Sequence, residues 1–150
     1  AEVDGHGERT GELIGLEKNC GEIENYIIHH LSGNSYCLSG FSEGATMGVE
    51  LIGRGNINVT KTHLDAAFLT KMGLLAEANE YAFCKAVKRI QKGKDVPKFL
   101  MDAAMGKDNN SVVEMLYPRI TADRIKNACD FVYTDSIPEK IRNYKGAVLF

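Results

Sequence analysis

The sequence holds no apolar run approaching the roughly 18 to 20 residues needed to span a bilayer, and no basic start leads into an apolar signal segment. A soluble chain with no membrane span is expected. An excess of either charge is also missing: 18 Lys and Arg stand against 20 Asp and Glu, a net charge of -2 with both signs scattered along the chain. Without a basic field to gather phosphates, neither nucleic acid nor an anionic membrane is an expected partner. A small molecule is the better candidate. The four cysteines, Cys20, Cys37, Cys84 and Cys129, form no C-x-x-C pair, so no metal site, redox site or other cofactor is expected. Buried free thiols in a reducing, cytoplasmic compartment are the reading that remains. Internal repeats and low-complexity tracts are absent.

What is present fits one domain. A chain of 150 residues with 44% hydrophobic content can bury a single core. From Leu16 the apolar positions Cys20, Ile23, Ile27 and Leu31 follow at helical spacing, with Glu17, Lys18, Glu22 and Glu24 on the other side. An amphipathic helix is expected there, ended by Ser32-Gly33-Asn34. Ser35 to Ser39 reads as a short buried strand, the turn Gly40 to Gly44 opens a second helix reaching about Gly53, and Ile57 to Leu64 reads as the next strand. Strand, helix, strand is a βαβ unit, so the fold class is α/β with a parallel sheet. Leu74 to Lys92 reads as a long helix, followed by shorter helical pieces at Pro97 to Met105, Ser111 to Leu116 and Thr121 to Phe131. Lys145 to Phe150 reads as a returning strand. The helical insertion between the two strands is several times longer than an ordinary crossover, as a cap over a site would be. Three segments result: a core with the Gly40–Gly44 turn over 1–67, a helical cap over 68–145, and a returning core strand over 146–150. The start at Ala1 and the strand-like end at Phe150 lead to the expectation that the chain is part of a longer protein.

Gly40-Phe41-Ser42-Glu43-Gly44 is a G-x-S-x-G string with an apolar strand before it and a helix after it. A serine hydroxyl attacks a carbonyl only when it is presented away from its own backbone, beside a base, with donors waiting for the oxyanion. A tight strand-to-helix turn meets the first and last needs. Such a turn brings chain segments close together, hence the expectation of glycine at both Gly40 and Gly44. The helix it opens directs its N-terminal N–H groups at the site, so the backbone N–H of Glu43 is the expected oxyanion donor.

Upstream, Val3-Asp4-Gly5-His6-Gly7-Glu8 resembles the glycine-histidine-glycine loop that precedes the nucleophile segment in α/β-hydrolase-fold proteins. The order of elements is similar along the whole chain, although only this loop and the G-x-S-x-G turn are sharp motifs. The resemblance implies a span from about strand 4 to strand 7 of that fold, a partial parallel sheet with a helical cap inserted between two strands. It implies a serine hydrolase, esterase-, lipase- or thioesterase-like, in which Ser42 forms an acyl-enzyme with a small ester, thioester or amide. Gly5, His6 and Gly7 carry over as a structural loop. The family's acid and histidine follow the serine in chain order, mostly beyond strand 7, and its second oxyanion donor comes from a loop before strand 4. The 150 residues alone are therefore expected to be inactive.

Within the chain, Asp65 is a candidate acid, since some relatives carry the acid after strand 6. His63, the one histidine after Ser42, would share a strand face with Asp65 and is a weaker substitute base. Large apolar residues of the cap, among them Phe68, Met72, Leu75, Phe83, Phe99 and Met101, are read mainly as core packing. Two other readings stand beside the enzyme. One is a non-catalytic relative that binds a ligand under its cap; the other is a helical module that self-associates through an exposed sheet edge.

Overall fold

The computed structural model describes residues 15–68, 73–105, 122–134 and 147–149. Helix α1, Gly15–His30, buries Leu16, Asn19, Cys20, Glu24 and Ile27, the inward stripe that helical periodicity requires. Two positions depart from the sequence expectation: Glu24 is 8% exposed rather than solvated, and Leu31 is 47% exposed rather than packed. Glu24 is drawn in by an arginine from the next helix. Leu31 lies past the helix end, where Ser32 and Gly33 take positive φ and turn the chain away.

Strand β1, Asn34–Phe41, leads into helix α2, Glu43–Arg54, and the chain returns as strand β2, Asn58–Asp65. Strand β3, Ala147–Leu149, pairs on the far side of β2, giving the order β1-β2-β3 with both pairings parallel. The α/β reading with a parallel sheet is borne out. Eight consecutive residues of α2, Ala45 to Ile52, are buried, because this helix lies on the sheet and beneath α1. Burial of side chains such as Val49, Leu51 and Ile52 contributes about 1.5–3 kcal/mol each.

Arg54 closes the far end of α2. Its guanidinium donates to Glu50 at 2.9 Å and to Glu24 at 3.5 Å, and it reaches Glu17 at 3.3 Å. Burial works against the charge on Arg54, but the Glu50 hydrogen bond and the surrounding negative groups outweigh it and raise its pKa. Cys20 packs beside this cluster and its thiol donates to the Met47 carbonyl. Two of the four thiols, Cys20 and Cys129, are buried as expected; Cys37 is exposed and Cys84 half-buried, and none of the four forms a disulfide.

The described residues divide into two compact units, one of residues 15–68, 131–134 and 147–149, the other of residues 73–105 and 122–130. The second contains helix α3, Leu74–Ile90, which packs against helix α4, Lys98–Met105, together with most of helix α5, Ala122–Thr134. Its buried side chains are Ala82, Ala86, Val87, Leu100, Ile125 and Cys129. Leu75 and Phe99, expected in the core, are exposed; the buried positions on these two helices are Ala82, Ala86, Val87 and Leu100. The helical piece expected at Ser111 to Leu116 and the Gly5-His6-Gly7 loop lie outside the described residues. Among the described residues, no helix is long and apolar enough to cross a membrane.

Candidate functional site

Ser42 is the single residue between β1 and α2. Gly40 and Phe41, expected in the turn, belong to the strand, since they remain in register with Leu64 and Asp65 of β2. The reversal therefore falls on Ser42, which takes φ 51° and ψ -115°, a conformation that L residues rarely adopt. Serine at a helix start ordinarily caps the helix with its hydroxyl; Ser42 makes no such bond. Its Oγ makes no hydrogen bond among the described residues.

Three contacts hold this backbone. The Ser42 N–H donates to the Asp65 carbonyl at 2.8 Å, tying the end of β1 to the end of β2. The Ser42 carbonyl accepts from the Thr46 N–H at 3.0 Å, the first turn of α2, and from Thr46 Oγ1 at 3.3 Å. The Gly40 backbone lies so close to the first turn of α2 that a Cβ there would meet the Gly44 carbonyl oxygen at 2.4 Å. A Cβ at Gly44 would meet nothing within 4 Å. The close approach runs from one α-carbon to one carbonyl, so the glycine requirement falls on Gly40 alone, in contrast to the expectation for both.

Glu43 opens α2, and its N–H precedes the first intrahelical bond, that of Thr46 to Ser42. It thus lies in the first turn of α2, at the positive end of the helix dipole. Asp65, the candidate acid, ends β2 in register with Phe41, adjacent in chain to Ser42, and is exposed. His63 shares its strand face but is in register with Ser39, whose Oγ stands 3.5 Å from His63 Nδ1. The register thus aligns Asp65 with the end of β1 and His63 with a different serine. Sequence reading missed Thr46 and Ala66. Ala66 takes φ 56° directly after β2, and nothing in an alanine signals that.

In the helical unit, a groove of about 310 Å³ is lined by Glu77, Glu80, Tyr81, Cys84 and Lys88 of α3 and by Asp123 and Lys126 of α5. Burial raises the Cys84 pKa, and the neighbouring Glu80 adds to this, so its thiol is not an activated nucleophile. No group of three or more His, Cys, Asp or Glu that could hold a metal ion occurs among the described residues.

No protein-family model matches the chain, and no curated protein sequence matches it significantly. Solved structures do. An alpha/beta hydrolase family protein from Desulfitobacterium hafniense superposes with a TM-score of 0.78 at 22% identity, over 99% of this chain and 61% of its own. The fold is that of the α/β hydrolases. An esterase from Exiguobacterium antarcticum follows with a TM-score of 0.63 at 15% identity, over 98% of this chain and 59% of its own. A lipase-esterase related protein from Clostridium acetobutylicum gives 0.62 at 17% identity over 98% and 59%. The chain thus spans about three-fifths of the α/β hydrolases it matches.

Proposed function

We propose that the chain carries the nucleophile of a serine hydrolase, with Ser42 attacking the carbonyl carbon of a small ester, thioester or amide. The observation that carries this reading is the backbone of Ser42: an L residue at φ 51° and ψ -115°, pinned on both sides, whose hydroxyl does not cap the helix it begins. Strain of this kind costs about 1–3 kcal/mol and persists where the surroundings over-determine it, as functional sites do. A glycine would serve the fold better; a serine serves chemistry.

In the proposed reaction, Ser42 Oγ forms a bond to the carbonyl carbon and its proton passes to a base. The oxyanion is met by the Glu43 N–H. Collapse expels the alcohol, thiol or amine, which takes that proton and leaves an acyl-enzyme that water then cleaves. Asp65 is the proposed acid; the base in this reading is a histidine elsewhere in the whole protein. The resemblance to an esterase and to a lipase-esterase related protein supports ester chemistry without choosing the ester.

A fluorophosphonate probe tests the reading. Labelling of the Ser42 peptide in the whole protein, lost in Ser42→Ala, is the expected result. Absence of labelling would leave a ligand-binding relative as the better account. The isolated 150 residues are expected to turn over esters negligibly, since loss of the base removes several orders of magnitude of rate. Measurable hydrolysis by that chain would instead bring His63 forward.

A further inference from the structure

The turn that leaves β2 is bonded to the turn that leaves β1 at two points. The Asp65 carbonyl accepts from the Ser42 N–H at 2.8 Å, and three residues later the Phe68 N–H donates to Thr46 Oγ1 at 3.1 Å. Thr46 Oγ1 in turn donates to the Ser42 carbonyl at 3.3 Å. These contacts close a ring through Ser42, Asp65, Ala66, Ala67, Phe68 and Thr46. Two of its members, Ser42 and Ala66, are L residues at φ 51° and φ 56°. Positive φ at a non-glycine residue is held by its surroundings rather than by its own preference. Thr46 is the member that bonds to both strained turns, and its side chain is fully buried, at 0% exposure.

We propose that Thr46 is a positioning residue for Ser42: its hydroxyl locks the Asp65–Phe68 turn onto the first turn of α2, and so holds the Ser42 backbone in its strained form. The proposal rests on Ser42 being the nucleophile for its catalytic consequence, but not for its structural content. A helix interior needs no hydroxyl at this position; alanine or valine would pack a buried helix face equally well. Threonine's second function is to accept from Phe68 while donating to Ser42, which one hydroxyl can do simultaneously. Buried at 0% exposure, Thr46 has no access to substrate, so its effect is transmitted through Ser42 and the β2 exit.

The test compares Thr46→Val, which keeps shape and removes the hydroxyl, with Thr46→Ser, which keeps the hydroxyl. Residue-resolved amide hydrogen exchange is the first readout. In Thr46→Val the Phe68 and Ser42 amides are expected to exchange about tenfold faster or more, relative to amides in the middle of α2, and Thr46→Ser to return both close to wild type. An unchanged Ser42 amide in Thr46→Val overturns the proposal, as does equal loss in both variants, which would indicate a packing role. The second readout is the fluorophosphonate labelling rate of the whole protein, expected to fall about tenfold in Thr46→Val and to recover in Thr46→Ser. Should wild type not label at all, the serine-nucleophile reading fails, while the exchange data still decide the role of Thr46.

Discussion

Gly40→Ala and Gly44→Ala are equivalent substitutions on the sequence, each removing one glycine of the same motif, yet the structure separates them sharply. At Gly40 the added methyl would lie 2.4 Å from the Gly44 oxygen, 2.5 Å from the Gly44 carbonyl carbon and 2.7 Å from the Ala45 nitrogen. All three are backbone atoms in the first turn of α2, so no rotamer change makes room. Comfortable contact begins near ~3.4 Å, so the helix start must retreat by about 1 Å. That retreat lengthens the bonds between Ser42 and its neighbours. Overpacking of this kind costs about 1–3 kcal/mol, and the absence of a flexible partner puts Gly40→Ala at about 3 kcal/mol. Gly44→Ala places its methyl in open space on a helix and is expected to be neutral or to stabilise by up to about 1 kcal/mol. Urea unfolding of the two variants beside wild type measures both. Equal destabilisation by the two, or a Gly40→Ala protein within about 0.5 kcal/mol of wild type, would refute the one-sided contact and with it the account of why the turn is tight.

Ser42→Gly relieves the positive φ, and after subtracting the larger chain entropy of glycine it is expected to stabilise by about 1 kcal/mol, or about 3 °C in thermal midpoint, while abolishing probe labelling. A lowered midpoint would contradict the assignment of strain to Ser42. Arg54→Met removes the cation shared by Glu50 and Glu24, whose side chains are 3% and 11% exposed, and is expected to cost about 3–5 kcal/mol in urea unfolding; a loss below about 1 kcal/mol would mean the cluster is solvated. Burial, opposed by Arg54 and reinforced by Glu50, pushes the Cys20 thiol up from 9.0 to about 12, so the folded chain keeps a proton that the unfolded chain loses. Stability from this group is constant below pH 9 and falls between pH 9 and 12 by up to about 1.4 kcal/mol per pH unit. Chemical unfolding of wild type and Cys20→Ala across that range should show the shallower alkaline slope in the variant, and parallel slopes would exclude the effect.

The elements of the fold were legible because each one rests on local pattern. The helix read from Leu16 appears as Gly15–His30, the strands read from Ser35 and Ile57 appear as Asn34–Phe41 and Asn58–Asp65, and the long helix starting at Leu74 appears where expected, although β1, read as a buried strand, is exposed or half-buried along its whole length. Apolar spacing and turn residues act over a few positions, and a sequence displays them directly. Errors fell where a partner distant in sequence decides the outcome. Glu24 looks like a solvated helix residue until Arg54, 30 positions later, brings its guanidinium to it. Gly40 and Gly44 look interchangeable until register places Gly40 against Leu64 and α2 folds back on it. The exposed Leu75 and Phe99 illustrate the same limit, since helical spacing gives a face without saying which neighbour covers it.

The candidate site divides along the same line. Ser42 was readable because the motif encodes its own context: strand, glycine, serine, helix. What keeps Ser42 in place was not readable, because it depends on the exit of β2, where Asp65 supplies only a carbonyl and Ala66 only an unusual φ. Backbone groups have no sequence signature. A strained residue with one restraint would relax by rotating about it; Ser42 has restraints on both its N–H and its carbonyl. Relaxing φ at Ser42 therefore requires breaking the β2 contact or unwinding the first turn of α2, which leads into the buried run that starts at Ala45. That is why the hydroxyl remains outside the helix cap, and why the residues expected to control its reactivity include Thr46, which lies outside the motif.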